Sequence, residues 1–97
     1  MTKTNHYIGV NGMEMWRNNR GQFHCDDGPA IIYESGLQCW YKEDKMHRVD
    51  GPAFMHPNGV DAWYIDDCIY RTPKQFQEAA KLSDEDMAFI LLKYNFK

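Results

Sequence analysis

Two stretches, His24-Cys25-Asp26-Asp27 and His47-Arg48-Val49-Asp50, place an imidazole three residues before a carboxylate. A His–Asp pair can serve general acid–base chemistry. Cys25, beside His24, is a candidate activated thiol. Four histidines and three cysteines also raise a metal centre as a possibility. Each of these chemistries meets an objection. The His…Asp pair occurs twice, whereas a reaction needs it once, and no nucleophile elbow accompanies either copy. Asp before Gly commonly accepts backbone N–H bonds in its own turn, so Asp27 and Asp50 are read as corner builders. The histidines then pack or hydrogen-bond beside a Trp. A lone cysteine is usually an inert, small apolar residue. His24 and His47 would sit two strands apart in a meander, ~9–10 Å, too far to share one zinc ion. The glycines stand at turn positions and form no phosphate loop. No catalytic residue, metal or cofactor is expected.

The aromatic residues are the stronger candidates, and their chemistry is recognition. Trp and Tyr dominate interface hot spots, and Arg accompanies them. Trp16, Trp40 and Trp63 lie 24 and then 23 residues apart. Tyr41 and Tyr64 follow two of them, and Arg48 stands in the 23-residue step between Trp40 and Trp63. These six are the expected partner-binding residues. Arg17, Arg48 and Arg71 are alternatively suited to an anionic small molecule stacked on aromatic rings.

The elements that position them repeat. Asp27-Gly28-Pro29-Ala30 returns as Asp50-Gly51-Pro52-Ala53, and His24 returns as His47. A period in this range signals stacked supersecondary units. Each unit reads as a β-hairpin about Asn11-Gly12, Ser35-Gly36 or Asn58-Gly59, dipeptides suited to two-residue turns. Folding about those turns places Tyr7 opposite Trp16, Ile31 opposite Trp40 and Phe54 opposite Trp63. Trp16, Trp40, Trp63, Tyr7 and Phe54 then share one face with Glu14, Gln38 and Asp61. Ile8, Met15, Ile32, Cys39 and Ala62 occupy the other. Pro29 and Pro52 cannot donate to a ladder and belong at corners. Three hairpins over residues 5–71 predict a meander of about six to nine short strands.

The repeat stops at Arg71. Thr72-Pro73 is an N-cap followed by proline at the first helical position. Phe76, Ala79 and Ala80 share one face of that helix. Ser83 begins a second, with Asp84, Glu85 and Asp86 in its first turn. Met87, Ile90, Leu91 and Tyr94 follow as an apolar stripe. The pair, over residues 72–97, is expected to lie on the sheet or cap its last hairpin, where an edge would otherwise stay open. The reading is one α+β domain over residues 1–97.

Composition narrows the function. A 97-residue chain is one domain at most. A net charge of −3 lacks the basic footprint of a nucleic-acid binder. No apolar run approaches the ~18 residues of a membrane span. Three cysteines without CxxC spacing and a polar start from Met1 to Tyr7 fit a reducing, cytoplasmic setting.

The pattern Trp40-Tyr41, a short turn, His47-Arg48-Val49-Asp50-Gly51-Pro52-Ala53, then a turn with glycine, resembles the MORN-repeat variants found in phage and giant-virus proteins. The resemblance covers roughly residues 5–71 and is close over Trp40 to Trp63. Cys25 stands where the pattern has Arg, Tyr70 where it has His, and Glu43-Asp44 and Asp66-Asp67 where it has Asn-Gly. The resemblance implies a sheet of β-hairpins and an interaction role. It further implies a small phage protein, cytoplasmic in its host, that binds and inhibits a host protein such as a defence enzyme. The alternative from another class is an oligomer that sequesters a nucleotide-like signal. Homodimerisation through the helices or an unpaired edge is a further expectation.

Overall fold

A computed structural model describes residues 4–94. Among the described residues, nine strands precede two helices: β1 (Asn5–Ile8), β2 (Glu14–Arg17), β3 (Ile31–Ile32), β4 (Gln38–Cys39), β5 (Tyr41–Lys42), β6 (Lys45–Met46), β7 (Phe54–Met55), β8 (Asp61–Ile65), β9 (Cys68–Tyr70), α1 (Pro73–Ala80) and α2 (Asp84–Lys93). Seven strands form an antiparallel sheet ordered β1-β2-β3-β4-β7-β8-β9, and β5-β6 stand apart as a two-stranded hairpin. The chain is α+β, with its helices at the C-terminal end. Residues 95–97, the end of the expected helical tail, and residues 1–3 at the polar start lie outside the described residues.

Turn chemistry explains the sheet and corrects the expected register. Gly9 N–H donates to Met13 O, and Gly12 N–H donates to Gly9 O. The loop therefore has three residues, closed by Gly12 at φ 77°. Tyr33–Leu37 and His56–Val60 close in the same way, with Gly36 and Gly59 at φ 92° and 93°. A type I turn followed by one left-handed residue needs a single glycine, whereas a two-residue I′ turn needs positive φ twice. Each hairpin thus slips by one residue from the expected pairing. Tyr7 pairs with Met15, His6 with Trp16, Ile31 with Cys39 and Phe54 with Ala62. A one-residue slip exchanges the faces of a strand. Tyr7 and Phe54 accordingly leave the Trp face, and Ile8, Ile32 and Met55 join it.

The two-residue turns occur at Glu43-Asp44 and Asp66-Asp67 instead, with all four residues at positive φ. These turns are held from outside. Asp44 accepts the Phe23 N–H at 2.7 Å, and Asp67 accepts the Met46 N–H at 2.7 Å. Those bonds satisfy exposed backbone donors and fix residues that tolerate the left-handed region least badly.

Thr72 accepts the Gln75 N–H and Ser83 accepts the Asp86 N–H, so both helices begin at the expected caps. Trp63, Ile65, Phe76, Met87 and Ile90 form the core between the last hairpin and the helices, with Tyr70, Ala79, Ala80 and Tyr94 packed against it. Of the expected α2 stripe, Met87, Ile90 and Tyr94 face this core. Leu91 is exposed instead, because the sheet contacts a narrower arc of the helix than four stripe positions span. Among the described residues, no helix is long and apolar enough to cross a membrane.

Candidate functional site

Trp16 and Trp40 are held alike by the backbone, and the three indoles end under different covers. Trp16 N–H donates to Ala30 O and Trp40 N–H to Ala53 O, while His24 N–H and His47 N–H return to the carbonyls of Trp16 and Trp40. Each Asp-Gly-Pro-Ala corner thereby brings the chain back beside a tryptophan. Ala30 and Ala53 are fully buried there, where a larger side chain would collide with the packed strands. The cover over each ring is distinct. His6 stacks on Trp16, centroids 4.5 Å apart and planes within 11°. The Arg48 guanidinium lies 3.7 Å from the Trp40 ring centroid. Phe76 and Tyr94 meet Trp63 edge-on at 4.9 and 6.0 Å.

Arg48 is 8% exposed. Its Nε donates to Asp50 at 2.8 Å, and its two terminal nitrogens donate to Pro52 O at 3.2 Å and the Tyr94 hydroxyl at 2.7 Å. It ties the second corner to the end of α2. Trp40 Nε1 is buried under this arrangement with no hydrogen-bond partner among the described residues. Such an orphaned donor costs about 1–3 kcal/mol, which a desolvated cation–π contact of about 2 kcal/mol offsets in part.

Neither His…Asp pair of the sequence forms. His24 Nδ1 accepts the Glu43 N–H at 3.1 Å, and Nε2 faces Asp26, not Asp27, at 2.9 Å. Both ring nitrogens are engaged, so Nε2 carries the proton and no lone pair remains for a base. His47 Nδ1 likewise accepts the Asp66 N–H at 3.1 Å, while Asp50 goes to Arg48. The Cys25 thiol donates to Asp27 at 3.3 Å, and burial pushes its pKa up. A thiol held protonated is a poor nucleophile. A cleft of about 220 Å³ separates the two corners, lined by Asp26, Asp27, Trp40, Lys42 and Asp50 among others. Of its basic members, Arg48 and His47 are already committed to the bonds above, and Lys42 is exposed. Among the described residues no three His, Cys, Asp or Glu side chains converge as metal ligands.

Of the expected partner-binding residues, Trp63 and Arg48 are buried and build the interior. Trp16, Trp40, Tyr41 and Tyr64 are half-buried. Tyr41 packs on Phe23, and burial followed by the neighbouring Cys39, Tyr33, Asp67 and Asp44 raises its hydroxyl pKa. The observed register creates a row that the sequence reading does not contain. Ile8, Glu14, Ile32, Gln38, Met55 and Asp61 stand directly opposite one another across six strands. Apolar and polar residues alternate along it. It starts at β1, which has no second neighbour among the described residues and where Ile8 is 71% exposed, passes Met55, whose sulfur meets Arg48 at 3.4 Å, and ends at Asp61. His6 and Trp16 flank it on the same face. The parallel row on the opposite face, Tyr7, Met15, Ile31, Cys39, Phe54 and Ala62, is wholly apolar, with Ile31 and Cys39 buried.

Compared with protein-family models, curated proteins and solved structures, the chain matches none.

Proposed function

We propose that the chain is a small, non-enzymatic protein-binding module built from three tandem hairpin units of the MORN-like type. Three units are supported by bonds that recur at a 23-residue step. Glu43 N–H to His24 becomes Asp66 N–H to His47, and Phe23 N–H to Asp44 becomes Met46 N–H to Asp67. The third unit departs because its corner is replaced by α1.

The observation that carries a binding role is the mixed row from Ile8 to Asp61. The helices cover Trp63 and Ile65 but not this row, whose ends Ile8 and Asp61 are exposed and whose four middle residues are half-buried, beside the His6–Trp16 stack. Aliphatic, Met and Trp surface interspersed with single polar groups is the composition of a non-obligate interface. By resemblance alone, the partner is a host protein, such as a defence enzyme, inhibited by a phage protein in the host cytoplasm. The signal-sequestering alternative has less support. Of the three arginines it needs, Arg48 is consumed in the interior, and Arg17 donates to Gly21 O while stacking on Phe23.

Quantitative pull-down from a bacterial lysate tests the proposal with wild type, Ile8→Lys and Gln38→Lys side by side. A protein retained by wild type and lost from both variants, at unchanged melting temperature, is the expected result. Equal retention by all three would remove the row as the binding surface.

A further inference from the structure

Helix α2 has a second apolar stripe that none of the described elements covers. Phe89 is 65% exposed and Leu92 is 86% exposed. At 100° per residue, Glu85, Phe89 and Leu92 fall together on the side opposite Met87 and Ile90, with exposed Ala88 beside them. Large apolar residues grouped in this way mark an interaction site, whereas scattered ones do not.

The charge pattern says what fits there. Asp84, Glu85 and Asp86 occupy the first turn of α2, and Lys93 occupies the last. These charges complement the helix dipole. They also make the stripe self-complementary when two such helices run antiparallel. The stripe from Glu85 to Leu92 is centred between Ala88 and Phe89. A twofold axis at that point sets the two Phe89 rings side by side on one flank of the seam and the two small Ala88 residues on the other. Each Leu92 then lies beside the opposing Glu85 stem, and each Lys93 faces the opposing acidic first turn. Twofold symmetry repeats every favourable contact, as an isologous interface requires. A parallel arrangement would oppose like charges at both ends.

We propose that this outer face of α2 binds a second copy of the chain, giving an antiparallel helix-to-helix homodimer. The proposal is independent of the binding row, which lies on the sheet. Met87, Ile90 and Tyr94 remain in each subunit's own core.

Sedimentation equilibrium of the full chain over micromolar to millimolar concentration tests it. Wild type is expected to dimerise reversibly. Leu92→Glu and Phe89→Glu, each at an exposed position, are expected to weaken the dimer about a hundredfold, roughly tenfold per copy of the substitution. Glu85→Lys and Lys93→Glu are each expected to weaken it, and the double swap to restore it. That rescue would not follow from a merely structural change within one helix. Monomer at all concentrations would overturn the proposal, as would a dimer indifferent to Leu92→Glu and to the charge swap. A dimer lost instead on changing Ile8, at the β1 edge, would overturn it in favour of strand pairing. Pull-down with Leu92→Glu keeps the two proposals apart, because the partner should still be captured.

Discussion

Replacing Arg48 with alanine probes how much of the fold hangs on one buried cation. The substitution removes the guanidinium 3.7 Å from the Trp40 centroid and the bonds to Pro52 O and the Tyr94 hydroxyl. The stack is worth about 1–2 kcal/mol when desolvated. The two charge-assisted bonds add about 1.5 kcal/mol each at the low end of their range. The Asp50 contact adds under about 1 kcal/mol, because that carboxylate stays largely in water and is not stranded by the change. Some of these gains overlap, so the expected loss is about 3–4 kcal/mol. At ~4–8 °C per kcal/mol for a chain of this size, the melting temperature falls by at least ~12 °C. Arg48→Lys keeps a charge but loses the planar fork, so its loss should be intermediate. Arg71→Ala, at an exposed position, is the control and should stay within about 0.5 kcal/mol. Urea unfolding followed by tryptophan fluorescence reads all three. An Arg48→Ala protein within about 0.5 kcal/mol of wild type would refute the reasoning, and would return Arg48 to the residues free to meet a partner.

Other perturbations separate neighbouring claims. His24→Ala, at a residue only 1% exposed, removes the acceptor of the part-buried Glu43 N–H and the packing of the ring, so thermal denaturation should show about 2–3 kcal/mol lost. His47→Ala, with its side chain 19% exposed, should lose less, since water can replace the ring. Gly36→Ala would place Cβ 2.7 Å from Pro57 Cγ at positive φ, whereas Gly59→Ala meets open space. Gly59→Ala should therefore cost about 1 kcal/mol of backbone strain, and Gly36→Ala clearly more in the same melting assay. Iodoacetamide at neutral pH should modify exposed Cys68 first, by mass spectrometry of peptides. Burial raises the pKa of Cys25 and Cys39 above their unfolded values. Those thiols favour the fold below the unfolded thiol pKa and lose that contribution as pH rises through the folded values. Stability should fall, and Cys25 labelling should accelerate, only in alkaline solution.

Local signals were enough to locate the elements but not to pair them. Thr72-Pro73 and Ser83 mark helix starts through the bonds that their own side chains make, so both starts are readable from neighbouring residues. Asn11-Gly12 fits a two-residue I′ turn and also the end of a three-residue loop, since both want glycine at positive φ. That ambiguity moves the register by one and conceals both the His6–Trp16 stack and the row from Ile8 to Asp61. Glu43-Asp44 and Asp66-Asp67 adopt the I′ turn against their own preference, because Phe23 and Met46 supply bonds from 21 residues away. Arg48 reads as a surface recognition residue until Tyr94, 46 residues on, closes over it. The Met87–Ile90–Tyr94 stripe is legible from its spacing. The exposure of Phe89 and Leu92 is not, since it depends on which arc of α2 the sheet happens to cover.

Hydrogen–deuterium exchange of the chain alone and with its captured partner tests the binding surface directly. New protection should concentrate in β1, β2 and the β3–β4 hairpin, along the row that begins at Ile8. Protection confined to the cleft between the Asp-Gly-Pro corners, with β1 and β2 unchanged, would contradict the assignment.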